Sequence, residues 1–168
     1  YYYVMQLIDG EGLDRAVARR DDRRMSPQET AKIGRDVARA LDCAHSHGIL
    51  HRDVKPANIL VDRQGEVWIT DFGLAQALEA DSGSTQAHLA GTLNYMPPER
   101  FHGISEPRGD VYSLGVTLYE LACGRTPFAA KSSVELMRRI TSETPPPMRT
   151  VGADVPRDLE TIIAKATS

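Results

Sequence analysis

Ile33, Val37, Leu41 and Ala44 return every three or four positions among polar neighbours, in a stretch that opens on Ser26-Pro27-Gln28-Glu29 and ends at His47-Gly48. That interval puts the four on one face of a helix. Ser26 with Glu29 has the spacing of a capping box, and proline suits the first helical position. A long amphipathic helix is predicted. From Asp110 to Cys123 the pattern changes, because Val111, Tyr112, Leu114, Val116, Leu118, Leu121 and Ala122 are apolar on nearly every face. Such a helix should be buried at the centre of the domain. Ser132 to Glu135 is a second capping box opening a shorter helix, and Pro145-Pro146-Pro147 breaks the chain before a last helix from about Pro156.

Two short apolar runs interrupt the helical pattern. Asn58-Ile59-Leu60-Val61 and Val67-Trp68-Ile69-Thr70 flank the turn Asp62-Arg63-Gln64-Gly65 and predict a hairpin, with Asn58 and Asp71 at opposite ends of it and free to converge. The stretch from Ala75 to Ala90, rich in Ser, Gly, Ala and Gln, reads as a loop. The chain is therefore expected to be α+β and mainly helical, with no internal repeat.

Composition adds exclusions. A chain of 168 residues is about one domain, and 41% hydrophobic with 26% charged residues is ordinary for a globular protein. A net charge of −3 leaves no basic footprint for nucleic acid. Cys43 and Cys123 each sit in an apolar helical context, which predicts two buried, reduced thiols rather than a disulfide. No apolar run approaches the ~20 residues that cross a bilayer, and no signal peptide is visible. The segment is expected to be cytoplasmic and to make no membrane contact, with any anchor lying elsewhere in the full protein. The run Arg19-Arg20-Asp21-Asp22-Arg23-Arg24 reads as a solvated loop rather than a docking patch. His45, His47 and His51 do not form a zinc site, since no cysteine partner is near and His45 and His47 project about 200° apart on one helix.

The chemistry is concentrated between His51 and Gly73. Moving a phosphoryl group to a hydroxyl needs a carboxylate to orient the hydroxyl and accept its proton, and Asp53 is the candidate. Asn58 and Asp71 offer the hard oxygens that magnesium prefers, few enough for water and phosphate oxygens to complete an octahedron. Lys55 supplies a cation for the transferring phosphate, and Pro56 stiffens the loop.

His51-Arg52-Asp53-Val54-Lys55-Pro56-Ala57-Asn58 followed by Asp71-Phe72-Gly73 resembles the catalytic segment of the eukaryotic-type serine/threonine protein kinases that also occur in bacteria. Gly91-Thr92-Leu93-Asn94-Tyr95-Met96-Pro97-Pro98-Glu99, Asp110 in Gly109-Asp110-Val111-Tyr112-Ser113-Leu114-Gly115, and Gly124-Arg125-Thr126-Pro127-Phe128 resemble later motifs in the family's order. The resemblance implies that Asp53 is the catalytic base and that Asn58 and Asp71 bind Mg2+. Lys55 would mark the serine/threonine branch, and Thr92 would hydrogen-bond with Asp53 and Lys55. It further implies that His51 packs with Phe72 and that Asp110 braces the backbone of the catalytic loop. Glu99 would pair with an arginine beyond this chain; Pro97 stands where the family has alanine, a change the turn should tolerate.

The same resemblance assigns residues 1–10 to the last small-lobe strand and hinge. Met5 would be the gatekeeper, the backbone of Gln6 and Ile8 would face the adenine edge of ATP, and Leu60 would floor it. Residues 11–168 would be the large lobe, truncated before its last helix. The glycine-rich loop, lysine and glutamate of the small lobe are not in this sequence, so the missing lobe is expected in cis and the fragment alone should be inactive. ATP and Ser/Thr-bearing proteins are the implied partners. The segment 75–90 would be the activation loop, with Ser82, Ser84 and Thr85 either phosphate acceptors paired to Arg52 or polar filler. A pseudokinase scaffold is the alternative, although none of its usual losses is seen; a small-molecule kinase fits Lys55, the 91–99 loop and Asp110 less well.

Overall fold

The computed structural model describes residues 6–72 and 91–168. Among the described residues the body is formed by α1 (Leu13–Ala18), α2 (Pro27–Ser46), α3 (Pro107–Cys123), α4 (Ser133–Ser142) and α5 (Arg157–Ala166). A small antiparallel sheet lies beside them, β1 (Gly10–Gly12), β2 (Ile59–Asp62) and β3 (Val67–Ile69) in the order β1-β2-β3. No described helix is long and apolar enough to cross a membrane.

α2 has the expected boundaries and the expected face, with Ile33, Val37 and Leu41 buried and Ala44 half-buried. Its capping box is complete: the Glu29 N–H donates to Ser26 Oγ at 3.2 Å and the Ser26 N–H to Glu29 Oε2 at 2.8 Å. Arg20 adds a fork on the Glu29 carboxylate at 2.9 and 2.7 Å. The arginine-rich run is thus partly turned inward, since Arg24 also donates to the Gly152 carbonyl at 2.7 Å. The Arg20 hydrogen bonds, ahead of the capping bonds, pull the Glu29 carboxyl down to about 2 from its ordinary 4.5. A folded-state value below the unfolded one means a contribution fully present above pH ~4.5 and lost as the pH falls toward ~2. Glu29→Gln should therefore flatten the acid limb of the stability profile in that window, read from urea midpoints at a series of pH values.

α3 runs between two apolar clusters. One joins Val37, Leu41, Leu118, Leu121 and Ile163, and the other joins Leu93, Tyr112, Val116, Phe128 and Ile140. Thirteen of its 17 residues are buried, as the pattern predicts, but Val111 is 45% exposed and faces out. Against α5 the packing is backbone-close: a Cβ on Gly115 would lie 2.8 Å from Thr167 Cγ2 and 2.9 Å from Ala166 Cβ. Ser132 caps α4 through the Glu135 N–H, but Glu135 returns its carboxylate to Lys131 rather than to Ser132, so the second box is only half formed. α5 begins one residue after Pro156.

Two features depart from the sequence reading. Cys43 is exposed, because it sits one position off the apolar stripe of α2, whereas Cys123 is buried as expected. β1 is unanticipated, since Gly10-Glu11-Gly12 has no strand signature and becomes a strand by pairing with Leu60–Asp62. The segment leading into α1 is thereby tied to the hairpin.

Candidate active site

The hairpin delivers two site residues together. Ile59 faces Ile69, and the Thr70 N–H donates to the Asn58 carbonyl at 2.9 Å, so Asn58 and Asp71 flank the same end of the paired strands β2 and β3. Between α2 and β2 the loop 51–55 is fixed from behind by Asp110 of α3. Asp110 Oδ1 accepts the Arg52 N–H at 2.7 Å, and its Oδ2 accepts the His51 N–H at 2.8 Å and lies 2.8 Å from His45 Nε2. The carboxylate is an acceptor here, so His45 donates from Nε2. His45 is accounted for by this bond and His47 by the Cys43 carbonyl, and no metal-ligating cluster occurs among the described residues.

His51 is fully buried and links the two halves of the site. Its Nε2 lies 2.9 Å from the Thr70 carbonyl and must donate, while Nδ1 accepts the Asp53 N–H at 3.2 Å. One neutral tautomer satisfies both, and burial pushes its pKa down, which keeps the ring neutral. Phe72 packs on it with ring centroids 4.5 Å apart. The backbone on either side is unusual, with Arg52 at φ 69° and Asp71 at φ 64°. Non-glycine residues rarely adopt such angles, and the bonds to Asp110, His51 and Asn58 are what hold them there.

Asp53 is the centre. Its Oδ2 accepts from Lys55 Nζ at 2.7 Å and from Asn58 Nδ2 at 2.9 Å. Its Oδ1 is buried with no hydrogen-bond partner among the described residues. A buried carboxylate oxygen left unpaired is costly unless something else is meant to meet it. Asn58 spends its amide nitrogen on Asp53, on the main-chain oxygen at 2.7 Å as well as on the carboxylate, which leaves its amide oxygen for another ligand. The Asp71 carboxylate makes no hydrogen bond among the described residues. Lys55 Nζ also donates to Thr92 Oγ1 at 3.0 Å, so Thr92 meets Lys55 directly and Asp53 only through it.

The donor set fits a hard divalent cation such as Mg2+ by its chemistry. An amide oxygen and a carboxylate on adjoining backbone are hard ligands few enough to leave positions for phosphate oxygens and water. Leu60, half-buried on β2, lines with Gly10, Gly12 and Ala57 an open cavity of about 750 Å³. Gln6 is exposed, Ile8 is half-buried, and the Ile8 carbonyl accepts the Gly10 N–H. Met5, Gly73, Ser82, Ser84 and Thr85 lie outside the described residues. Arg52 Nε is buried without a hydrogen-bond partner among the described residues, and Arg100 donates to the Arg52 carbonyl. Glu99 is half-buried in the short 3-10 turn Pro98–His102, for which Pro97 is the N-cap.

A second row of residues was hidden in the apolar reading of α3. Asp110, Ser113, Thr117 and Glu120 fall on one helical face, and each reaches a loop of the site. Ser113 Oγ lies 2.8 Å from the Tyr95 carbonyl, Thr117 Oγ1 3.4 Å from the Val54 carbonyl, and Glu120 Oε2 accepts from the Tyr95 hydroxyl at 2.5 Å. Burial, reinforced by Glu120, raises the Tyr95 pKa, and burial raises that of Glu120, so the proton stays on the phenol. Tyr95 and Glu120 border a cavity of about 450 Å³ beside Lys55 and Thr92. The spacing of three, four and three residues between polar positions was the signal available in the sequence.

A mainly helical body with a small sheet, carrying this carboxylate, amide and lysine at its loops, is a protein kinase domain: residues 1–165 match that family, and the chain belongs to it. Bacterial kinases are among its relatives. The chain is 35% identical over 168 residues to the probable serine/threonine-protein kinase PknB of Lactococcus lactis and 40% identical over 169 residues to the serine/threonine-protein kinase PknB of Mycolicibacterium smegmatis. It is 35% identical over 170 residues to the serine/threonine-protein kinase PrkC of Bacillus subtilis. These matches cover 99%, 98% and 100% of this chain and 26%, 27% and 26% of those proteins. The chain spans about a quarter of their length.

Proposed function

We propose that the protein is a serine/threonine kinase that moves the γ-phosphoryl group of ATP to Ser or Thr hydroxyls of proteins, and that residues 11–168 belong to its large lobe. The observation that carries this reading is Asp53, with one carboxylate oxygen gripped by Lys55 and Asn58 and the other buried and unpaired. That free oxygen is suited to orient an incoming hydroxyl and take its proton. Asn58 and Asp71 would hold Mg2+, which when bound neutralises phosphate charge. Lys55, anchored between Asp53 and Thr92, would place its cation against the transferring phosphoryl group. A role in binding alone would leave these pairings without a purpose.

Residues 1–10 are read as the last small-lobe strand and hinge, with Met5, Gln6, Ile8 and Leu60 around the adenine. A chain without the small-lobe lysine and phosphate-covering loop lacks two sources of transition-state stabilisation, each worth ~10²–10³ in rate. Residues 1–168 alone should therefore turn over at ~10⁻² s⁻¹ or below, against the ~1–100 s⁻¹ usual for kinases. The check is transfer from labelled ATP with magnesium, comparing this chain with a form extended upstream through the small lobe. Equal transfer by both would overturn the dependence on the missing lobe, and no transfer by either, on a panel of folded protein substrates, would overturn the kinase reading.

A further inference from the structure

The Ser113 hydroxyl has one proton and two carbonyls in reach, Tyr95 at 2.8 Å and Gly109 at 2.9 Å. The Gly109 carbonyl is the i−4 acceptor of the Ser113 N–H in the regular ladder of α3 and is already served. The Tyr95 carbonyl has no other donor among the described residues. The Tyr95 carbonyl is therefore the acceptor that depends on this hydroxyl, and Ser113, 3% exposed, is its buried anchor.

Tyr95 is held a second time by its hydroxyl on Glu120, two helical turns along the same face. Its segment is a tight turn, with the Tyr95 N–H on the Thr92 carbonyl at 3.1 Å and the Met96 N–H on the Leu93 carbonyl at 3.2 Å. Leu93 is buried against Tyr112 and Val116 of α3. At the front of that turn Thr92 meets Lys55, and through it Asp53. The same helix face grips the catalytic loop through Asp110 on residues 51 and 52, while the Thr117 hydroxyl lies 2.9 Å from the Ser113 carbonyl and 3.4 Å from that of Val54.

We propose that Ser113 is a positioning residue for the protein substrate: by holding the Tyr95 carbonyl it fixes the turn 92–96 in register with Asp53, and so fixes where the acceptor chain lies against the site. This rests on the kinase reading above. α3 serves as a common reference for the loop that does the chemistry and the turn beside it. Loss of the Ser113 hydroxyl removes the tie between α3 and the backbone of the turn, leaving only side-chain ties to α3 there, while the bonds of Asp110 to residues 51 and 52 and the hairpin carrying Asn58 and Asp71 are unchanged.

The test is Ser113→Ala in the kinase extended through its small lobe, with steady-state kinetics in both substrates. KM for a protein substrate should rise about tenfold, because binding must then re-order the loosened turn, while KM for ATP moves less than twofold. The backbone amide resonance of Met96, which shares a peptide group with the Tyr95 carbonyl, should shift, and those of His51 and Arg52 should not. If the alanine form does not fold, Ser113→Cys, similar in size but a weak donor, is read in the same way. Equal rises in both KM values would show general loosening and overturn the proposal, as would an unmoved protein-substrate KM or an unmoved Met96 resonance. A parent that transfers no phosphate removes the kinase reading and this proposal with it, whereas an active parent with a normal alanine variant removes this proposal alone.

Discussion

Asp53→Asn, made in the kinase extended through its small lobe, is expected to lower kcat by ~10³-fold with little loss of thermal stability. The substitution is nearly isosteric. The asparagine oxygen can keep the place of Oδ2 and still accept from Lys55 and Asn58, so the contacts that hold the loop survive. What changes is the atom at the buried, unpaired Oδ1 position, which becomes an NH2 group. It donates where a hydroxyl also needs to donate and cannot take a proton. The effect should therefore fall on kcat, with KM for ATP changed little, in transfer assays from labelled ATP run beside melting curves. A folded variant with parental kcat would remove Asp53 from the chemistry, and an equally inactive parent would favour a pseudokinase.

The largest stability effect is expected at Asp110. Its carboxylate is 3% exposed and accepts from two backbone N–H groups and the His45 ring. Asp110→Ala strips all three of their acceptor in a dry place, and the Arg52 backbone at φ 69° loses the bond that helps to keep it there. Removing one member of such a buried polar cluster costs ~3–5 kcal/mol. For a domain of this size that corresponds to a fall in Tm of roughly 10 °C, measurable by calorimetry. Asp110→Asn should recover only part of it, because the new amide nitrogen donates toward groups that are themselves donors. A change in Tm of under 2 °C for the alanine form would show that the network contributes little net energy.

The sequence made α2 legible because three independent signals agree there: the apolar stripe, the capping pair and the proline. The hairpin was equally readable, since β-branched and aromatic residues flank a turn of polar residues and glycine. β1 was not, because a strand of Gly10-Glu11-Gly12 exists only through its partner. α3 was read correctly as central and apolar on nearly every face, and what that reading left out is the polar row of Ser113, Thr117 and Glu120 beside Asp110. Ser113 and Thr117 are small enough to be buried among leucines, and only the positions of the 51–55 and 92–96 loops show that their hydroxyls have work to do. At the site, Asp53, Lys55, Asn58 and Asp71 were picked out by order and spacing, and the structure joins the first three by hydrogen bonds, with Asp71 following β3 at the end where Asn58 precedes β2. The split of Asp53 into one gripped and one free oxygen is a matter of angstroms that no spacing encodes.

The error at Cys43 has a practical side. The chain's two thiols differ sharply: Cys123 is buried, with its pKa pushed up to about 11, and Cys43 is exposed on the outer face of α2. A thiol reagent in water can reach Cys43 and is kept from Cys123 by burial. A maleimide dye or spin label added to the folded chain would settle at a single address, two residues from His45. The protein thus carries its own attachment point for a probe that reports on the catalytic loop from behind, without engineering either cysteine.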